Sequence, residues 1–155
     1  LFPHYTPEKG AQWIDILGQI ENEFLSRYGA VLLGDVKGVF ARLREMGYGV
    51  YIVSNCQAGY IEGFLEYYHL EDLVDDIECY GNTLRGKADN LKLLIERNHL
   101  DEYLYLGDTQ GDFNACREAG VPFLFAAYGF GRVDDDSVPR IQKLDDLPEY
   151  LQERA

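Results

Sequence analysis

The 155-residue chain carries a formal net charge of −13, because 27 Asp and Glu outnumber 14 Lys and Arg. Such a surface repels the phosphates of nucleic acids and anionic lipid headgroups, and this disfavours a function at either. No apolar run approaches the ~20 residues of a membrane span. Three cysteines without metal-type spacing disfavour a disulfide framework and predict a cytoplasmic protein.

The predicted elements alternate between helices and strands. Thr6-Pro7 is typical of a helix start, and apolar residues at helical spacing continue to Tyr28. The remaining elements are predicted in chain order as helix 36–46, strand 49–53, helix 59–68, a strand near 76–80, helix 87–98, strand 103–107, helix 112–119, strand 121–126, a short strand near 140–141 and helix 145–151. This alternation predicts an α/β fold with parallel strands joined by right-handed crossovers.

The most informative motif is Gly107-Asp108-Thr109-Gln110-Gly111-Asp112, which directly follows a predicted strand. Ligand sites of open α/β sheets lie just outside the carboxyl ends of the strands. Two carboxylates four residues apart at such a place are oxygen ligands suited to Mg²⁺. The alternative is that Asp108 only caps the following helix.

Two further segments contribute polar groups of another kind. Ser54 and Asn55 end the strand predicted at 49–53, and Lys87 begins a predicted helix. A hydroxyl, an ammonium and metal-binding carboxylates together suit a phosphate site. Taken singly, Ser54 could simply end a strand, and Lys87 could be a solvated helix lysine.

From about Leu33 to about Leu151 the chain resembles the haloacid dehalogenase-like hydrolase superfamily, in particular its capped phosphatases similar to phosphoglycolate phosphatase. The resemblance rests on residues 50–55 as the second motif, Lys87 as the lysine of the third, and residues 107–112 as the fourth, GDxxxD. It implies a Rossmann-like, three-layer fold with a parallel sheet. Residues 1–30 would be the end of a helical cap domain and residues 31–155 the core domain.

The resemblance also implies a function, that of a Mg²⁺-dependent hydrolase of a small phosphorylated metabolite. Ser54, Asn55 and Lys87 would bind the phosphoryl group, Ser54 and Lys87 in catalytic roles, while Asp108 and Asp112 would hold the metal. The alternatives are a phosphomutase or dehalogenase on the same scaffold, or a non-catalytic binding domain. A dehalogenase needs no Mg²⁺, so the presence of both aspartates counts against it.

The family's first motif, DxDGT, is not found. Its first Asp would be the nucleophile that forms an aspartyl-phosphate. Asp35 loosely imitates it, but position 37 is lysine, and Asp35 is better explained as a helix N-cap. We therefore expect a truncated chain that lacks the first strand of the core, is inactive alone, and exposes sheet or cap surface through which it could self-associate.

Two features near the predicted site allow two interpretations each. The glycines of Tyr128-Gly129-Phe130-Gly131 permit a close approach of backbone to a ligand, although a simple turn also explains them. Cys56 follows Ser54-Asn55 and could line the site, but no histidine partner is near it in sequence.

Overall fold

The computed structural model describes residues 6–154. Helix α1 (Pro7–Tyr28) begins as predicted, because the side chain of Thr6 accepts a hydrogen bond from the Lys9 amide at 3.4 Å. It ends at Gly29, whose φ of 66° favours glycine. Residues 1–5 of the predicted cap segment and residue 155 of the predicted core domain lie outside the described residues.

The elements after α1 follow the predicted order, with one short helix, α4 (Tyr80–Thr83), that was not predicted. They are α2 (Val36–Glu45), β1 (Tyr51–Ser54), α3 (Tyr60–Tyr68), β2 (Asp76–Cys79), α4 (Tyr80–Thr83), α5 (Lys87–Arg97), β3 (Tyr105–Gly107), α6 (Gln110–Ala119), β4 (Phe123–Ala126), β5 (Arg140–Ile141) and α7 (Leu147–Gln152), with short 3-10 turns at Glu71–Leu73 and Leu144–Asp146. None of the described helices combines the length and apolarity needed to cross a bilayer.

The strands form two parallel sheets. In one, β1 pairs with β2, and in the other the order is β3-β4-β5. Both sheets share a core, because Val53 of β1 packs in the same apolar cluster as Phe123 and Phe125 of β4. The parallel α/β architecture predicted from the sequence is therefore confirmed.

Strand β4 shows how three layers arise. All four of its residues are buried. Phe123 and Phe125 pack towards α5 and α6, whereas Leu124 packs towards α2 and α7 on the other face. A strand whose alternate residues face two covered sides must be apolar throughout, which is typical of parallel sheets between helices.

The structure corrects several predicted bounds. Helix α6 begins at Gln110 rather than at residue 112, since Thr109 caps it. The C-terminal helix begins at Leu147 rather than at 145, because a 3-10 turn precedes it. Strand β1 is shifted, at 51–54 rather than 49–53, and strands β3 and β4 begin two residues later than predicted. Apolarity continues beyond the paired residues, so a sequence pattern overestimates strand length.

Helix α1 lies against α3 and leaves one side uncovered. Leu25 is buried, and the Tyr68 hydroxyl hydrogen-bonds the backbone of Ala30 just after α1. Exposed apolar side chains recur along the helix at Trp13, Ile14, Ile16, Leu17, Ile20, Phe24 and Tyr28. This exposed apolar face runs along most of the helix, whereas apolar side chains on a protein surface usually occur singly.

A tyrosine joins the two sheets. Among the described residues no strand pairs with both β1 and β3, and instead the Tyr105 hydroxyl donates to the Val53 carbonyl oxygen at 3.0 Å. Burial raises the pKa of Tyr105 to about 12, so the hydroxyl stays protonated and able to donate.

Replacing Tyr105 by Phe should lower the free energy of unfolding by about 1 kcal/mol, because the Val53 carbonyl loses its partner while the packing of the ring is kept. Chemical denaturation measures the change. Tyr103→Phe is the matched control, since the Tyr103 hydroxyl has no hydrogen bond in the described part of the chain. Equal losses for both variants would contradict a link between the sheets.

Candidate phosphate and metal site

The predicted site residues lie where strands end and helices begin. Ser54 is the last residue of β1, and Asp108 directly follows β3. Lys87 is the first residue of α5, and Asp112 lies in the first turn of α6. In parallel sheets the carboxyl ends of the strands share one edge, so the fold places these residues on the same side of the molecule.

A buried ion pair connects two of these helices. The Lys87 ammonium donates to Asp112 Oδ1, and only 14% and 7% of the two side chains remain exposed. Asp112 Oδ2 accepts hydrogen bonds from the Thr109 hydroxyl at 2.7 Å and the Thr109 amide at 3.1 Å. Thr109 in turn accepts from the Asp112 amide, which completes a capping box.

The surroundings keep both members of this pair ionised. Burial raises the pKa of Asp112, but hydrogen bonds from Lys87 and Thr109 outweigh it, so this pKa lies below its ordinary value. Burial lowers the pKa of Lys87, whereas Tyr105 and Asp112 together raise it above its ordinary value. The site therefore contains a fixed ammonium at neutral pH.

The carboxylate of Asp108 is held by a loop from the neighbouring strand. Its Oδ2 accepts hydrogen bonds from the amides of Phe130 at 2.8 Å and Gly131 at 3.2 Å. Thr109, not Asp108, caps α6, so the alternative that Asp108 is only a helix cap is wrong. A Cβ on Gly129 would lie 2.6 Å from Asp108 Oδ2, which explains why glycine is needed at that position.

Ser54 and Asn55 lie at the end of the other sheet. Ser54 Oγ accepts a hydrogen bond from the Cys56 amide at 3.3 Å, and Asn55 is exposed. Neither residue forms a hydrogen bond with the Lys87–Asp112 pair among the described residues. Burial raises the pKa of Cys56, so its thiol stays protonated and is a poor nucleophile.

Asp35 is a helix cap, as predicted. Its Oδ1 accepts a hydrogen bond from the Gly38 amide at 3.0 Å at the start of α2. The carboxylate therefore has a structural function that explains its presence.

The described residues contain no group of three or more His, Cys, Asp or Glu side chains arranged to hold a metal. Mg²⁺ needs less from the protein, because it is typically bound by one or two carboxylates together with waters and substrate phosphate. Asp108 Oδ1 has no hydrogen-bond partner among residues 6–154, so it fits this ligand type. Both oxygens of Asp112 already accept hydrogen bonds, and its part in the predicted metal site stays a prediction.

Comparison with known proteins identifies the family of the chain. A family model described as haloacid dehalogenase-like hydrolase matches residues 3–126. The chain belongs to this family. A phosphoglycolate phosphatase from Aliivibrio fischeri is 29% identical over 117 residues, which are 71% of this chain and 51% of the relative. The chain thus spans about half the length of this curated relative.

Solved structures share the fold. A predicted phosphoglycolate phosphatase from Haemophilus somnus is 19% identical, with a TM-score of 0.80 over 96% of this chain and 69% of the other. A haloacid dehalogenase-like hydrolase from Streptococcus pneumoniae is 18% identical, with a TM-score of 0.78 over 96% of this chain and 73% of the other. At these identities the likeness concerns the fold alone.

Thr109 belongs to the site but was not among the residues singled out from the sequence. Its hydroxyl and amide both bind Asp112, the residue that holds Lys87. The signal was present, because a Thr followed three residues later by an acidic residue at a helix start indicates a capping box. The contact between Asp108 and Phe130 carries no comparable signal, since 22 residues separate the two.

Replacing Lys87 by Met should lower the free energy of unfolding at pH 7 by about 3 kcal/mol, because Asp112 would stay buried without its counter-ion. In the wild type the pKa of Asp112 is lower in the folded than in the unfolded protein. Asp112 therefore contributes its full stabilisation at pH values above the unfolded-state pKa, and this contribution is lost as the pH falls through the folded-state pKa. The Lys87 contribution is present below its unfolded-state pKa and is lost as pH rises through its raised folded-state pKa.

Chemical denaturation between pH 3 and pH 7 measures both effects. The Lys87→Met variant should lose less stability than the wild type on acidification, since the Asp112 pKa is then no longer lowered by Lys87. Lys92→Met on the same helix is the control, because Lys92 is exposed and makes no ion pair in the described region. Identical stability of the wild type and Lys87→Met would contradict a buried pair.

If Asp108 is a Mg²⁺ ligand, replacing Gly129 by Ala should weaken Mg²⁺ binding at least about tenfold, because the new Cβ would displace the Asp108 carboxylate from its amide donors. A Mg²⁺ titration followed by the NMR signals of the Phe130 and Gly131 amides measures this. Gly111→Ala is the matched control within the motif, since a Cβ there meets only Thr109 Oγ1 at 3.5 Å. Unchanged affinity in Gly129→Ala would show that the loop does not position Asp108.

Proposed function

We propose that this site binds the phosphoryl group of a small phosphorylated metabolite and belongs to a Mg²⁺-dependent phosphomonoester hydrolase. The observation that carries the proposal is the combination, at one edge of the sheets, of a buried ammonium and an oriented carboxylate. An ammonium attracts phosphoryl oxygens, and a carboxylate with a free oxygen suits the metal that accompanies phosphate. The name of the Aliivibrio fischeri relative, phosphoglycolate phosphatase, supports the same reaction class.

Each residue has a part that follows from its position. Ser54 donates its hydroxyl proton to a phosphoryl oxygen, and the amides near Asn55 add further donors. Lys87 neutralises charge that develops on the phosphoryl group, and Asp112 keeps its ammonium in place. Asp108 provides the metal ligand. Mg²⁺, when bound, offsets the repulsion between an anionic nucleophile and an anionic substrate.

We infer that the nucleophile is supplied by a strand between β1 and β3. Asp108 and Asp112 are both engaged by protein donors, and Asp35 caps α2. Among the hydrogen bonds of the described residues, only that of the Tyr105 side chain joins the facing edges of β1 and β3. A parallel strand that ends in an aspartate would therefore fit between these two edges. The attacking carboxylate would then displace the alcohol of the phosphomonoester and form an aspartyl-phosphate, and water would hydrolyse this intermediate to inorganic phosphate and the free carboxylate.

We also propose that residues 1–30 are part of a cap domain and residues 31–155 the core. The exposed apolar face of α1 supports this division, since such a face is typical of a helix that packs against others. Self-association through this face is the alternative. The cytoplasm is the proposed compartment, in agreement with three free cysteines.

In an active polypeptide that contains the DxDGT strand, hydrolysis of p-nitrophenyl phosphate should require Mg²⁺. Asp108→Asn and Lys87→Ala should each reduce kcat/KM by at least about a hundredfold, because each removes a charge that stabilises the transition state. Activity is measured with and without EDTA. Full activity in excess EDTA, or losses below about tenfold at both positions, would contradict the proposed site.

The 155-residue chain by itself should not hydrolyse this substrate even in saturating Mg²⁺, because Asp35 and Asp112 are engaged by protein donors and Asp108 is assigned to the metal. It should nevertheless bind inorganic phosphate in the presence of Mg²⁺, as measured by calorimetry. Turnover by the chain alone that is abolished in Asp35→Asn would show that Asp35 is the nucleophile. Phosphate binding without turnover in the DxDGT-containing polypeptide would instead favour a non-catalytic binding domain.

A further inference from the structure

Arg85 differs from the other arginines of this chain. Of nine arginines, five pair with a carboxylate and three others stack on an aromatic ring within the described residues. Arg85 does neither there, although it is exposed on a chain with 27 acidic residues. With neither kind of partner among residues 6–154, the Arg85 guanidinium is available to an anion from outside the chain.

Hydrogen bonds that involve the buried side chain of Asn90 hold the backbone around Arg85 in place. Asn90 is fully buried, and its Oδ1 accepts a hydrogen bond from the Thr83 hydroxyl at 2.7 Å. The Arg85 amide donates to Thr83 Oγ1 at 3.1 Å, and Asn90 Nδ2 donates to the Arg85 carbonyl oxygen at 3.3 Å. Both backbone polar groups of Arg85 are therefore held, which makes the base of its side chain rigid.

The same loop also contains an unfavourable backbone conformation. Leu84 lies in the left-handed region with φ 57° and ψ 24°, which costs a leucine roughly 1 kcal/mol. Leu84 is 73% exposed, so burial of its side chain does not offset this unfavourable free energy. The turn instead sets the direction in which the chain passes from α4 to Arg85 and on to α5.

The loop lies beside the phosphate site. It joins the carboxyl end of β2, through α4, to Lys87 at the start of α5. Ser54 is the register partner of Cys79, the last residue of β2, so both strand ends open on the same edge. Arg85 lies two residues before Lys87, the lysine that is proposed to bind the phosphoryl group.

We propose that Arg85 is a specificity-determining residue that binds a second anionic group of the substrate. This inference rests on the proposed function and deepens it, because it restricts the substrate to phosphomonoesters that carry another anion. A guanidinium forms two parallel hydrogen bonds with a carboxylate or a phosphate, and it gains little from a neutral leaving group. The shared chemistry is an anion a short distance from the phosphoryl group.

Binding of three probes in Mg²⁺ tests this, measured by calorimetry on the full 155-residue chain. The probes are 2-phosphoglycolate with a carboxylate, ethylene glycol bisphosphate with a second phosphate, and 2-hydroxyethyl phosphate with a neutral group. We expect at least one of the two probes with a second anionic group to bind tenfold or more tightly than 2-hydroxyethyl phosphate, and the tighter of the two identifies the anion. In Arg85→Gln this preference should disappear, while binding of 2-hydroxyethyl phosphate changes less than twofold.

Two further variants keep the result interpretable. Arg85→Lys should retain part of the preference, since it keeps the charge but not the paired donors. Arg42→Gln is the matched control, because Arg42 is an exposed arginine on α2, near the opposite ends of the strands. It should leave all three affinities unchanged.

The outcomes separate the two proposals. If none of the probes binds in Mg²⁺, the proposed function is wrong, and this inference falls with it. If all three bind equally, or if Arg85→Gln weakens them by the same factor, the phosphate site stands and only the role of Arg85 is overturned. Thermal unfolding of each variant confirms that the fold is kept.

Discussion

The buried contact between Lys87 and Asp112 is the interaction on which the site depends. It joins the first turn of α5 to the first turn of α6 at the edge where β1 and β3 end. Removing a charge from water is costly, and the contact compensates that cost only with the additional hydrogen bonds from Thr109. The capping box therefore has two consequences. It starts α6, and it gives Asp112 the partners it needs to remain ionised beside a lysine.

Asp108 is positioned by a different principle. Backbone amides of the loop after β4, rather than a charged side chain, hold one of its oxygens. Amides orient a carboxylate without neutralising its charge, so the other oxygen keeps its affinity for a cation. The two aspartates of one motif thus differ in their surroundings. Asp112 is buried and fully bonded, whereas Asp108 is half-buried and has one oxygen without a protein partner among the described residues.

Two features of the described chain fit the additional strand and the cap domain proposed above. The edges of β1 and β3 are unpaired and joined by the Tyr105 hydroxyl, and the apolar face of α1 is exposed. Unpaired edges and exposed apolar surfaces are both unfavourable in water and favour association with further polypeptide. A strand between β1 and β3 together with helices over α1 would satisfy both, and it would complete the site with the carboxylate that it needs.

The sequence by itself determined the order of the elements, the α/β class and the residues at the strand ends, because hydrophobic periodicity and motif spacing are local properties. Ser54, Lys87, Asp108 and Asp112 were all identified in this way, and Asp35 was recognised as a cap from its neighbours. Only the tertiary structure decided which of these residues touch. The contacts between Lys87 and Asp112 and between Asp108 and Phe130 join residues more than 20 positions apart. Such contacts depend on how strands and loops pack, and no local pattern encodes that packing. The isolation of Arg85 likewise became visible only once the partners of the other arginines were known.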